Sequence, residues 1–458
     1  MSTRLTLFAP VLALVACGSD AGPPPLPAIS ELPVAEDLNP DPKILEVNLR
    51  AAETMVELRP GVATKVMAYN DRIPGPLLVA RVGDRVIVHF QNDLPETTTI
   101  HWHGLRISSE MDGSVMIQDP VPAGGSFTYD FVLPDAGTYW FHPHAATIEQ
   151  IDRGLYGAIV VTESAPPKFT TERVLVLDDI RLDAASQIAP YAYSGHDVMM
   201  GRLGNTLLIN GQIEPVRGVA PLRSIERWRV ISSSTARVFE LSVEGAGWRV
   251  IASDGGLLPE PYAPGRLVVA PGQRFDLEVT YNQAVAAATL LVHVVKSGST
   301  EPVGVPMAEY AIEGEVHDPL PVYPAITLPA IPDVLIEKEL RLGAGNDGFT
   351  INGLVGGGHA GHDMLEHFSA GVPVKLTIVN EIGSYHPFHL HGQFFQVVER
   401  NGRPANEPGL KDTVLLDAFD RVTLVTAFDN PGRWMYHCHI PEHAELGMMA
   451  ELVVDPAP

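Results

Sequence analysis

Four His-x-His pairs stand in this chain: His101/His103, His142/His144, His389/His391 and His437/His439. Seventeen histidines scattered over 458 residues would give only about 0.6 such pairs by chance, so the pattern points to chemistry. Side chains i and i+2 on a strand share one face, so each pair aims two imidazoles into one space. Eight imidazoles are too many for one tetrahedral zinc ion. They suit a cluster of several imidazole-loving ions, with copper and zinc the leading candidates.

Cys438 separates the candidates. Inside His437-Cys438-His439 it points away from its neighbours on a strand and can serve a different metal from theirs. His443 follows five residues on and Met448 ten residues on, while His386 opens the run His386-Pro387-Phe388-His389-Leu390-His391. Two His, one Cys and a weak axial Met form a blue-copper electron-transfer set. The triplet then bridges a one-electron copper and the histidine cluster.

These segments recur in order. Asn92 precedes His101-Trp102-His103-Gly104 by nine residues, as Asn380 precedes His389-Leu390-His391-Gly392. Further on, Gly137-Thr-Tyr-Trp-Phe-His142-Pro143-His144 matches Gly432-Arg-Trp-Met-Tyr-His437-Cys438-His439. The two ends of the chain therefore read as copies of one domain. The middle carries Ile209-Asn210-Gly211, similar to Ile351-Asn352-Gly353, but no His-x-His pair, and reads as a third copy without metal.

The elements that must hold these residues are short strands. Residues 85–90 and 374–379 alternate or run apolar over strand lengths between turn residues. With 41 Gly, 40 Pro and few amphipathic helical patterns, the chain is expected to be all-β, built of Greek-key β-sandwiches. Pro166-Pro167 and the Pro-rich stretch 319–332 divide it into domains at 41–165, 166–318 and 319–458. The 45% hydrophobic content allows large cores, and the net charge of -24 excludes a general nucleic-acid binder while favouring cationic partners.

The N-terminus reads as an address. Arg4 and the short apolar run 5–16 end in Leu14-Val15-Ala16-Cys17, which resembles the lipobox of a bacterial lipoprotein signal. That resemblance implies a signal peptide over 1–17, a lipidated Cys17, a stiff Pro-rich tether over 18–40, and an exported lipoprotein of the bacterial cell envelope, facing the periplasm or cell surface. With Cys17 acylated, Cys438 is the only thiol left and no disulfide can form.

Taken together, HWHG, HPH, HPFHLHG and HCHIPEHAELGM resemble the four motifs of three-domain multicopper oxidases of the bacterial laccase-like group, over nearly the whole mature chain. The resemblance implies three cupredoxin-like domains and four copper ions. A type 1 copper would take His386, Cys438, His443 and axial Met448; a type 2 copper would take His101 and His389. One type 3 copper would take His103, His142 and His439, and the other His144, His391 and His437. Domain 1 has Pro143 where domain 3 has Cys438, so it should hold no blue copper.

The implied reaction is one-electron oxidation of a phenolic, aromatic or metal-ion donor, coupled to reduction of dioxygen to water by a monomer that meets the membrane only through its lipid. Electrons would enter by an exposed edge of His443 and pass through Cys438 to His437 and His439. Asp112, in Met111-Asp112-Gly113, matches a proton-relay Asp of the family. Relatives often carry Glu directly after the type 1 His; here that residue is Ala444, with Glu442 and Glu445 flanking it, either of which could substitute.

Other readings are weaker. His439-Ile-Pro-Glu442-His443 matches a zinc-peptidase H-x-x-E-H, but that motif needs a helix interior and Pro441 opposes one. The stretch 356–367 holds three histidines and a Met and reads as a polar loop, with collection of copper ions the alternative; the sequence has no Met-rich insert of the kind typical of dedicated cuprous oxidases, Met199-Met200 being the nearest local cluster. A copper nitrite reductase fits poorly with a blue-copper Cys in the last of three domains. A non-catalytic cupredoxin relative would be expected to have lost ligands, and none is lost.

Overall fold

The computed structural model describes residues 26, 29–191, 194–283, 285–295, 301–332, 336–356 and 365–457. Six sheets pair into three sandwiches. The strand Arg85–Asn92 shows why: Val86, Val88 and Phe90 face the core while Arg85 and His89 face water. Each buried Val or Phe of this kind stabilises the fold by about 1.5–3 kcal/mol.

In the first sandwich, Ile44–Arg59 runs parallel to Arg85–Asn92, which pairs antiparallel with Ser126–Val132. The last sandwich repeats this with Ile336–Gly345, Val374–Asn380 and Arg421–Thr426. The middle one does so with Thr171–Ile180, Ile225–Ser232 and Arg274–Thr280. The recurring senses are the structural form of the sequence repeat. Separate apolar clusters fill the three sandwiches, and a fourth, with Leu77, Trp140, Val174 and Ile231, joins the first to the middle one.

Three short α-helices occur among the described residues: α1 (Thr147–Asp152), α2 (Gly195–Met200) and α3 (Pro441–Glu445). No helix among them is long and apolar enough to cross a membrane.

The expected tether needs one correction. Ile29–Ser30 pairs parallel with Glu172 and Arg173 on an open sheet edge, Val34 bridges to Leu77, and Leu32 is buried against the first and middle sandwiches. An available sheet edge and an apolar groove outcompete solvent for this segment, so the chain is docked from Ile29 on. Residues 1–25, with Cys17, lie outside the described residues.

Candidate metal centre

One antiparallel ladder sets each half of the centre. His101–His103 pairs with Gly137–His142, so that His101 faces His142. In the last sandwich, His389 faces His437, and Phe388 faces Cys438. The two Asn residues of the repeat hold the approaches. Asn92 donates from Nδ2 to the carbonyls of Glu96, Val121 and Pro122 and accepts from Leu94 N. Asn380 donates to the carbonyls of Ser384 and Asp417 and accepts from Ile382 N.

The two halves meet face to face. His101 stacks on His391 with ring centroids 3.9 Å apart, and His103 on His389 at 3.8 Å. His391 Nε2 lies 3.1 Å from His437 Nε2, and His439 stands 5.0 Å from His103 between centroids. None of the eight is more than 7% exposed. All eight sequence-predicted imidazoles therefore share one buried space.

On six of the eight rings a nitrogen on the outer side is fixed by a hydrogen bond to a carbonyl or carboxylate oxygen. His142 Nδ1 donates to the carbonyl of Pro143 and His437 Nδ1 to that of Cys438, the same device in both copies. Inside, His101 Nε2, His103 Nδ1, His142 Nε2, His144 Nε2, His389 Nε2 and both His439 nitrogens have no hydrogen-bond partner. Buried polar atoms are normally satisfied. Burial first, then the neighbouring rings, hold His103, His142, His144, His437 and His439 well below the usual imidazole range. Each neutral imidazole keeps one acceptor nitrogen, and buried acceptors that converge without a protein donor are completed by cations, so the donor set fits a metal cluster.

A second group lies on the other face of the Cys438 strand. His386 Nδ1 and His443 Nδ1 are each 3.4 Å from Cys438 Sγ and 3.0 Å from each other. Met448 is fully buried; its N–H donates to the His443 carbonyl, and its own carbonyl accepts from Cys438 N. Burial pushes the Cys438 thiol up, so a cation at this spot is what would make it a thiolate. α3 begins at Pro441, which leaves His439 outside the helix and removes the H-x-x-E-H geometry.

Asp112 joins the two halves. Its Oδ2 lies 2.8 Å from His391 Nδ1, and its carbonyl 2.8 Å from His101 Nδ1. Burial alone would raise its pKa, but the His391 and His101 rings hold it well below the carboxylate range. Sequence reasoning missed Asp412, which meets His103 Nε2 at 3.1 Å through Oδ1 and His389 Nδ1 at 3.0 Å through its carbonyl. Asp412 directly precedes Thr413, the residue that faces His389 across the ladder, and no spacing in the sequence marks it.

The surroundings of Ala444 are also resolved. Ala444 lines a cavity of about 280 Å³ with His142, His144, His439, Glu445 and Met449. Glu445 Oε1 accepts from Ile148 N of α1. Glu442 points elsewhere, accepting from Arg202 N, and burial pushes it up to about 7. Of the two acidic neighbours, Glu445 is the one on the cavity.

One expectation is overturned: His443 has no exposed edge. It is 0% exposed, and its Nε2 lies 3.1 Å from the carbonyl of Met199, because α2 of the middle sandwich covers it. A Ser194–Asp197 capping box and the Arg181–Asp197 ion pair hold α2 in place. Most of the stretch 356–367 lies outside the described residues.

Comparisons with known proteins give a consistent result. Multicopper oxidase family models match residues 50–166, 173–307 and 345–458. The chain is 29% identical to the multicopper oxidase MmcO of Mycobacterium tuberculosis, covering 86% of this chain and 84% of that protein. It is similar to the crystal structure of a multicopper oxidase from Pseudomonas thermotolerans, with 30% identity, a TM-score of 0.80, and coverage of 90% and 99%. A Campylobacter jejuni multicopper oxidase, described as a metallo-oxidase, aligns with 28% identity, a TM-score of 0.80, and coverage of 94% and 96%.

Proposed function

Because the chain belongs to the multicopper oxidase family, whose members are copper oxidoreductases acting with dioxygen, we propose that it holds four coppers and oxidises its donor at a type 1 site in the last sandwich. The type 1 ligands are His386, Cys438, His443 and Met448. The type 2 ligands are His101 and His389. The type 3 ligands are His103, His142 and His439 for one ion, and His144, His391 and His437 for the other. The observation that carries this reading is the set of buried, partnerless ring nitrogens facing one another beside the His386–Cys438–His443 group.

Bound copper would supply the one-electron chemistry that joins donor oxidation to the four-electron reduction of dioxygen to two waters. The chain's own part begins with connection: Cys438 is joined by single peptide bonds to His437 and His439, so the two sites share a covalent path. Asp112 orients His391 and His101, with Oδ2 2.8 Å from His391 Nδ1 and Oδ1 3.3 Å from His101 Nδ1, and this buried carboxylate is the group that takes and gives a proton beside the cluster. The cavity along His142, His144 and His439 is the approach for dioxygen, with Glu445 at its wall as the second proton source in place of the missing Glu at 444.

The donor does not touch the His443 ring. Electrons reach it across the Met199 carbonyl, which its Nε2–H contacts. This cover favours a second reading of the substrate: a small metal ion, cuprous or ferrous, rather than a bulky phenol, in line with the metallo-oxidase description of the Campylobacter jejuni relative. The chain acts as a monomer, since both halves of the site come from one chain. It is carried to the bacterial cell envelope and anchored by a lipid on Cys17, on the strength of Leu14-Val15-Ala16-Cys17. Oxygen uptake with a bulky phenol, cuprous, ferrous and manganous ions tests the substrate. Uptake with the ions and little with the phenol is the expected result; the reverse order rejects the metal-ion reading, and no uptake with any donor rejects the oxidase.

A further inference from the structure

The middle sandwich carries no metal-ligand group among its described residues, yet it reaches into the cluster. At Gly272, with φ +85, an added Cβ would stand 3.0 Å from both His103 and His439. Two residues on, Arg274 is fully buried. We propose that Arg274 is the positioning residue of the trinuclear site, acting through Asp412 to fix the rings of His103 and His389.

Every N–H of this guanidinium is used. Nη1 and Nη2 fork onto the two oxygens of Asp412 at 2.8 and 2.6 Å. Nε donates to the Thr138 carbonyl at 3.0 Å, Nη1 also to Gly272 O at 3.1 Å, and Nη2 also to Asp254 O at 3.0 Å. One side chain thus ties together the first sandwich at Thr138, the middle at Gly272 and Asp254, and the last at Asp412. A bidentate fork restricts orientation as well as distance, which a lysine cannot do.

The restriction passes to two ligands. Asp412 Oδ1 accepts from His103 Nε2, which leaves His103 Nδ1 as the inward acceptor. The Asp412 carbonyl and Thr413 Oγ1 lie 3.0 and 3.1 Å from His389 Nδ1, which leaves Nε2 inward. Thr413 Oγ1 in turn donates to Asp412 Oδ1. One carboxylate residue therefore sets opposite tautomers on two stacked rings, and Arg274 holds that carboxylate. Asp254 supports the same strand from behind, its Oδ2 accepting from Asp412 N and Thr413 N.

The clamp also accounts for a letter of the HWHG motif. Gly104 follows His103 at φ +89, and an added Cβ would meet Arg274 Nη2 at 2.3 Å and Asp412 Oδ2 at 2.7 Å. The glycine leaves the space that the guanidinium fills.

The inference rests on the four-copper reading, and its test keeps the two apart. Copper per chain, the type 1 blue band and the type 2 paramagnetic signal are measured on loaded wild type, Arg274→Met, Arg274→Lys, Asp412→Asn and the Arg274→Met/Asp412→Asn pair. The blue band should survive in all, because its ligands lie outside the clamp. Arg274→Met should lose or reshape the type 2 signal and lower cluster copper affinity or turnover by about 10–100-fold, the usual range for partners of metal ligands. Arg274→Lys should recover only part, and the double variant should be no worse than the poorer single one. If Arg274→Met does not fold, the same readouts on Arg274→Lys decide. A loaded wild type beside an Arg274 variant with unchanged type 2 signal and turnover overturns the inference alone. A wild type that loads no copper overturns the functional reading beneath it.

Discussion

In the first sandwich Thr98 stands three residues before a His-x-His pair, the place that His386 takes in the last. Thr98 Oγ1 donates to Gln150 Oε1 at 2.7 Å, and Gln150 Nε2 donates to the Thr97 carbonyl and to Glu96. Donors meet acceptors there and the region is closed. In the last sandwich the corresponding space holds two ring nitrogens 3.0 Å apart with a thiol beside them. Pro143 and Cys438 occupy matching strand positions, and the carbonyl of each accepts from the preceding histidine. One frame therefore supports a self-satisfied polar core or a convergent ligand set, and what separates them is whether the side chains complement or face one another.

The sharpest way to break the comparison is Cys438→Ser. It should abolish the blue band and donor oxidation yet leave the eight-histidine cluster loaded, because those rings face the other side of the strand. Metal analysis with visible absorption checks this, and a retained blue band would remove Cys438 from the type 1 set. Next in size is Asp112→Asn in the first sandwich. Dioxygen reduction should slow by about 10²–10⁴-fold while type 1 reduction and copper content stay normal. Stopped-flow reoxidation reads it, and an unchanged rate would assign the proton to another group.

Asn92→Ala and Asn380→Ala compare the two frames directly. Each should cost roughly 1–3 kcal/mol in unfolding free energy, since buried carbonyls lose their donors. Only Asn380→Ala should also alter the blue band, because the Asn380 carboxamide holds the loop leading into His386. Equal spectra in both would mean that the loop does not tune the site.

Met448→Leu should raise the type 1 potential without copper loss. A redox titration giving an unchanged or lower value would mean that Met448 does not face the metal. Smallest is Pro143→Cys. It should create no second blue centre, since Thr98 and Ile148 offer no imidazole, and should destabilise by about 0.4–1 kcal/mol through a freer unfolded chain. A new blue band there would show that the ligand set needs less than the last sandwich provides.

Part of this was legible from residues alone. His-x-His spacing fixes which side chains share a strand face, and the order of Asn92, His101 and His142 against Asn380, His389 and His437 discloses the duplicated domain before any coordinates. Arg274 and Asp412 were not legible, because they lie 138 residues apart and meet only when the middle and last sandwiches pack. The cover on His443 was hidden for the same reason: α2 is 244 residues from it at the Met199 carbonyl, and six residues in a turn-rich stretch show no periodicity. Local patterns report faces of one element; contacts between domains leave no spacing to read.

The single free cysteine of the described residues, Cys438, is fully buried. In a Cys17→Ser background of the copper-free chain, that makes Cys438 a clock. A thiol-reactive dye cannot reach Sγ until the last sandwich opens, so the labelling rate divided by that of a free thiol gives the opening equilibrium. Labelling that follows global unfolding would mark this sandwich as one cooperative unit with the rest of the chain. Labelling that runs ahead of it would mark the sandwich as the part that breathes.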